Sequence, residues 1–121
     1  MRIRVRAEMS KQTVIRELGE DDFNDVLILY REVKGTLPVL VGEVGRQKFL
    51  DILQHSGTGI IGAEVDRMIV SVATLHLHQN LTFGGRPYAL IENVVTLRTH
   101  QKQGHSRSVM NGLIARAWKA N

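Results

Sequence analysis

The sequence predicts an α+β fold, with helices packed on a mixed, mostly antiparallel sheet. Three observations carry that expectation. β-Rich runs and helical periodicity follow one another as strand, two helices, three strands, helix, the order of a meander sheet with helices layered on it. At 121 residues and 43% hydrophobic content, the chain suits one domain, which buries roughly two thirds of the surface its unfolded form exposes. Cysteine is absent, so disulfides and thiolate chemistry play no part and a reducing compartment is compatible.

Residues 1–12 read as a basic N-terminal extension before a domain over 13–121. The opening Met1-Arg2-Ile3-Arg4-Val5-Arg6 lacks the apolar segment of a secretory signal. Thr13–Leu18 reads as a short strand ended by Gly19. Asp21 or Asp22 can cap a helix on which Phe23, Val26, Leu27 and Tyr30 recur at helical spacing. Gly35 and Pro38 end it. A second helix over Gly45–Gln54 points Phe49, Leu50 and Leu53 inward, with Gly57 as its stop. Thr58–Glu64 and Met68–His78, joined by Val65-Asp66-Arg67, read as a hairpin.

The polar loop Gln79–Pro87 leads into a strand over Tyr88–Leu97. Its apolar, β-branched run is that of a strand covered on both faces. Alternation places Leu90, Glu92, Val94 and Thr96 on one face and Ile91, Asn93, Val95 and Leu97 on the other. A final helix from about Ser106 carries Val109, Met110, Leu113, Ile114 and Ala117 along one stripe.

Charge is unevenly spread. Residues 17–92 hold eleven acidic side chains against six basic ones, whereas 93–121 hold Arg98, Lys102, Arg107, Arg116, Lys119 and no acid. A basic C-terminal third suits a polyphosphate ligand; a solvated helix face is the plain alternative. Among those basic residues Trp118 is the one aromatic, so stacking platforms for nucleic acid are poorly supplied and no such partner is expected. No run approaches the ~20 apolar residues of a membrane span. The expectation is a cytoplasmic protein without membrane attachment.

Two apparent motifs carry little. Gly57-Thr58-Gly59-Ile60-Ile61-Gly62 spells G-x-G-x-x-G, but it follows a helix and opens a strand, and no acidic residue stands near position 80. A dinucleotide loop requires the reverse context. His76 and His78 share a strand face, yet spacing indicates no third ligand, so no metal is expected.

The stretch with chemical content is Gln101-Lys102-Gln103-Gly104-His105-Ser106-Arg107, between the last strand and the last helix. Free amides at a helix start and the positive end of its dipole favour an anion, with Lys102 and Arg107 beside them. Gln101-x-x-Gly104-x-Ser106, preceded by Ile91-Glu92-Asn93-Val94-Val95, resembles the pyrophosphate loop of the GNAT N-acetyltransferase superfamily, R/Q-x-x-G-x-G/A. Gln101 stands where arginine is commoner, and Ser106 where glycine or alanine is usual.

That resemblance implies a GNAT-like acyltransferase fold from about Thr13 onward and acetyl-CoA as cosubstrate. It implies that the backbone of Val94, Val95 and Thr96 pairs with the pantetheine arm beside a bulge. It further implies that Gln101, Lys102, Gln103, Gly104, His105, Ser106 and Arg107 wrap the pyrophosphate, with Gly104 needed for close approach. Family members continue past the pyrophosphate helix with further strands, which carry a tyrosine that protonates the leaving thiolate. The C-terminal strands of the fold are therefore expected to be missing here, and the open sheet edge is expected to form a homodimer.

Glu92 is expected as an unpaired carboxylate just upstream of the loop, and two readings stay open. It can be a partnered glutamate anchoring the sheet, because an isolated buried carboxylate is costly. It can also be the general base that deprotonates an acceptor ammonium, a task fitted by partial burial. The resemblance favours the second. The expected reaction is acetyl transfer from acetyl-CoA to a primary amine of a small molecule or peptide by direct attack. The alternative is a non-catalytic CoA-binding or oligomerisation module. Phe83-Gly84-Gly85 with Ile91-Glu92-Asn93 faintly resembles amino-sugar-phosphate acetyltransferases, and Gln79–Pro87 and Leu37–Val44 are the expected acceptor walls.

Overall fold

Asp66 and Arg67 both adopt left-handed backbone (φ 52° and 65°), the geometry of a two-residue hairpin turn that matches strand twist. They join β2 (Thr58–Val65) to β3 (Met68–His78). The computed structural model describes residues 12–35 and 38–119. The expected N-terminal extension therefore lies outside the described residues except for Gln12, and so does Leu37 of the expected acceptor wall. β1 (Thr13–Glu17) and β4 (Tyr88–Thr96) flank the hairpin, giving the sheet order β1-β2-β3-β4. Every pairing among the described residues is antiparallel.

Among the described residues three α-helices cover the sheet: α1 (Phe23–Lys34), α2 (Gly42–Gln54) and α3 (His105–Lys119). α2 starts three residues before the expected Gly45, and α3 one before Ser106. β2 from Thr58 to Ala63 and β3 from Ile69 to Leu75 are buried at consecutive positions, so both faces of the hairpin are covered. A Cβ on Gly59 would meet Arg116 of α3, and Gly112 of α3 lies against Ile15 and Ile61. α3 thus covers the face of Gly59 and Ile61, leaving the face of Ile60 and Gly62 to α1 and α2. Phe23 and Phe49 join α1 to α2 with ring centroids 5.5 Å apart.

The strand expected to be buried on both faces is instead an edge. Along β4 only Val95 is buried, and β3 is its one strand partner among the described residues. An apolar, β-branched run fits a central or an edge strand equally well, and only the neighbours decide. The simple alternation also fails. Thr74 pairs with Glu92 but Val72 with Val95, so Asn93 and Val94 together face Ala73 in a β-bulge. Asn93 takes φ 55°, a left-handed conformation that asparagine tolerates better than most side chains. Beyond the bulge the faces exchange, so Val95 shares Glu92's face rather than opposing it.

Before α1, Asp22 sits at the N-cap position without capping the helix. Its carboxylate serves the β1 end instead. Arg16 forks onto it with Nη1–Oδ2 at 2.9 Å and Nη2–Oδ1 at 2.8 Å, while Arg16 Nε reaches Glu64 Oε1 at 2.8 Å. The Arg16 hydrogen bonds hold the Asp22 carboxyl below its ordinary range; burial opposes this and the Gly19 amide assists. A depressed folded value stabilises above the unfolded carboxylate value of about 4, and the benefit is lost as pH falls through the folded value. Arg16→Met should therefore cost about 1 kcal/mol at neutral pH, solvent screening included. The difference in midpoint between variant and parent, followed by thermal melts, should close on acidification below pH of about 4.

Candidate functional site

After Thr96 the chain makes a 3-10 turn at Arg98–His100 and then runs through Gln101–Gly104 before α3 begins. Lys102 at φ 62° and Gly104 at φ 86° bend it back on itself. The first bond of the helix runs from Ser108 N to Gly104 O at 3.0 Å. Among the described residues, the amides from Lys102 to Arg107 donate to no protein acceptor. Thr96, His100, Gln101, Lys102, Gly104, His105, Ser106 and Arg107 line a cavity of about 590 Å³ over these amides.

The residues expected at the pyrophosphate loop are thus gathered around open space. Gln103 stands just outside the lining, donating through Nε2 to Thr99 O at 3.3 Å and lying 3.3 Å from His105 Nε2. A Cβ on Gly104 would meet no protein atom, so within the chain the demand for glycine there comes from its left-handed φ. Lys102 and Arg107 add positive charge to amides that already carry the helix dipole. The donor set fits a diphosphate: consecutive backbone N–H groups, a helix start and two cations.

The Val94–Thr96 segment divides. Leu97 N donates to Val70 O at 2.9 Å, and the alternation of an antiparallel ladder then turns the Val95 backbone toward β3 and that of Thr96 away from it. Val95, 2% exposed, therefore offers no backbone group to a ligand, contrary to expectation. Thr96 does, at an edge without a further strand among the described residues. Gln101 Nε2 donates to Thr96 O at 3.2 Å, tying the loop to the strand, and Thr96 Oγ1 meets Ser71 Oγ at 2.7 Å. Val94 projects from the bulge, 45% exposed.

Glu92 is not unpaired. Its Oε1 lies 3.0 Å from His76 Nε2, and half of the Glu92 side chain is exposed. His76 Nδ1 in turn lies 3.0 Å from Thr58 Oγ1, so a polar row crosses β2, β3 and β4. Tyr30 of α1 stands over the same face. Burial pushes its phenol up; a hydrogen bond with Thr74 opposes this and the Glu92 charge adds to it. Sequence reasoning missed Thr58 and Tyr30 as site residues and did not pair His76 with Glu92. Alternation within each strand was the one available signal, and the register that brings His76 to Glu92 was not legible.

Tyr30 and Asn93 also line a second cavity, of about 360 Å³, between α1, α2 and Pro38–Leu40. Its walls are mainly apolar, with Phe23, Leu27, Phe49 and Ile52, and Lys48 is the one charged residue among the described lining. Of the two expected acceptor walls, Pro38–Leu40 borders this space. Arg86 and Pro87 of the other border a separate cleft with Trp118. His76 and His78 stack at 6.1 Å, and among the described residues no group of three or more metal-ligating side chains forms. No described helix is long and apolar enough to cross a membrane.

No family model and no curated protein matches the sequence. Solved structures do. A protein of Agrobacterium tumefaciens str. C58 assigned as an acetyltransferase superposes with a TM-score of 0.84 at 35% identity, over 89% of this chain and 75% of that one. An acetyltransferase of Trypanosoma brucei gives 0.77 at 22% identity, over 89% and 76%. An aminoglycoside N-acetyltransferase in complex with CoA gives 0.76 at 13% identity, over 93% and 73%. The last two speak for the fold alone.

Proposed function

The chain belongs to the GNAT acetyltransferase superfamily, and from that premise we propose that it moves the acetyl group of acetyl-CoA to a primary amine by direct attack. The observation that carries the reading is the run of amides from Lys102 to Arg107, without acceptors among the described residues, over a 590 Å³ cavity. Those amides, with Lys102 and Arg107, would hold the diphosphate, and Gly104 supplies the backbone turn that aims them. The outward backbone of Thr96 would pair with the pantetheine arm beside the Asn93–Val94 bulge. Acetyl-CoA supplies the electrophile, an acetyl thioester.

Glu92 sits on β4 beside that bulge, with half its surface open to solvent. It would take the proton that an acceptor ammonium must lose before its nitrogen can attack. The nitrogen then bonds to the acetyl carbon, and the carbon–sulfur bond breaks with its electron pair leaving on the CoA thiolate. The surplus proton on the nitrogen passes through solvent to that thiolate, giving the amide and free CoA. The apolar cavity ending at Asn93 would take the body of the acceptor. With Lys48 as the one charged residue among its described lining, it favours an amine with an apolar body over a polycation.

The test uses purified protein. Thermal melts with and without CoA measure binding. Release of free thiol from acetyl-CoA is followed with phenethylamine, tryptamine, glucosamine 6-phosphate, an alanine-terminated peptide and the polycation sisomicin. CoA should raise the midpoint, and an arylalkylamine should release thiol faster than sisomicin. Stabilisation by CoA without thiol release from any amine would instead favour a non-catalytic CoA-binding module. Absence of stabilisation would overturn the loop assignment.

A further inference from the structure

We propose that His76 is a positioning residue: its ring is held as the Nε2–H tautomer by giving that N–H to the Glu92 carboxylate, and Thr58 holds the ring in place by donating to Nδ1. The inference rests on Glu92 as the base of the proposed reaction for its kinetic consequence, and on geometry alone for the tautomer. An imidazole with acceptors or donors at both nitrogens has its proton placed by the stronger constraint. Glu92 Oε1 lies 3.0 Å from Nε2, and an ionised carboxylate can only accept. Nε2 must therefore carry hydrogen. Thr58 Oγ1, 3.0 Å from Nδ1, can donate or accept. With a neutral ring only one arrangement satisfies both contacts, in which the Thr58 hydroxyl donates to Nδ1.

Thr58 is 6% exposed, so water competes poorly for its hydroxyl. It is fixed by cross-strand pairing, since Thr58 and His76 are register partners. The consequence for Glu92 is orientation. A carboxylate on a bulged edge strand, half exposed, has several rotamers open to it, and a donor fixed by two inner strands selects one. Other groups around the pair are Tyr30 from α1, which feels the Glu92 charge, and His78, whose ring stacks on His76 and in turn lies 5.1 Å from Tyr88. From α2, Lys48 borders the cavity that reaches Asn93.

Ring ¹⁵N shifts of histidine-labelled protein above pH of about 8, where imidazoles are neutral, read the tautomer directly. His76→Gln identifies the His76 signals by their loss. The expected pattern is a protonated Nε2 and a bare Nδ1 for His76, relaxing to a mixture of tautomers in Glu92→Leu. A protonated Nδ1 in the parent, or an unchanged pattern in Glu92→Leu, overturns the proposal. This readout needs no substrate, so it stands whether or not Glu92 proves to be the base.

The kinetic arm uses the fastest amine of the panel. His76→Gln keeps an N–H donor near the Nε2 position and should hold kcat within about threefold, whereas His76→Leu should lose about tenfold or more. KM for acetyl-CoA should stay unchanged in both, and the CoA-induced rise in midpoint reports that both are folded. Equal kcat in the two variants overturns the positioning role.

Discussion

Gly104→Val should abolish the rise in thermal midpoint that CoA gives the parent protein. Gly104 stands at φ 86°, and a β-branched residue there costs about 1–2 kcal/mol in backbone strain. The cheapest relief is to swing the peptide toward negative φ. That swing rotates the amides of Gly104 and His105, which the proposed anion site would use. Strain alone lowers the midpoint of the ligand-free protein by several degrees. Loss of those amide donors acts separately, and should weaken CoA binding on the order of 100-fold, about 2.7 kcal/mol. Melts at several CoA concentrations, with circular dichroism to confirm the fold, separate the two effects. A Gly104→Val protein that folds and gains as much from CoA as the parent would show that the loop does not hold the diphosphate.

The loop was legible in the sequence because its determinants are local. A glycine before a helix start, flanked by Lys102 and Arg107, needs no distant partner to turn the chain and leave amides open to a cavity. The hairpin was legible for the same reason, since Asp66 and Arg67 sit between two β-branched runs. What failed depends on neighbours far along the chain. Tyr88–Thr96 is as apolar as a buried strand, but its exposure is set by the strands beside it, and β3 is its only described partner. The pairing of Glu92 with His76 follows from register across β3 and β4, and the bulge at Asn93–Val94 shifts that register by one residue. Asn93 was a faint clue, because asparagine tolerates positive φ. The carboxylate expected to be alone therefore has a partner sixteen residues earlier in the chain.

That partner bears on what Glu92→Gln should do. Glutamine keeps an oxygen that can accept the His76 N–H, so the orientation of the side chain survives, while the ability to take a proton is removed. The variant should therefore retain the CoA-induced stabilisation and lose on the order of 100-fold in kcat at neutral pH. The deficit should narrow as pH approaches about 10, the range in which an alkylammonium gives up its proton to solvent and the acceptor arrives already as free amine. A variant defective only in acetyl-CoA binding would show no such recovery, and a merely structural glutamate would show a lower midpoint instead. Thiol release measured across pH for parent and variant, with the midpoint of each, distinguishes the three. Equal rates at neutral pH would remove Glu92 from the reaction and leave it as the cross-strand partner of His76.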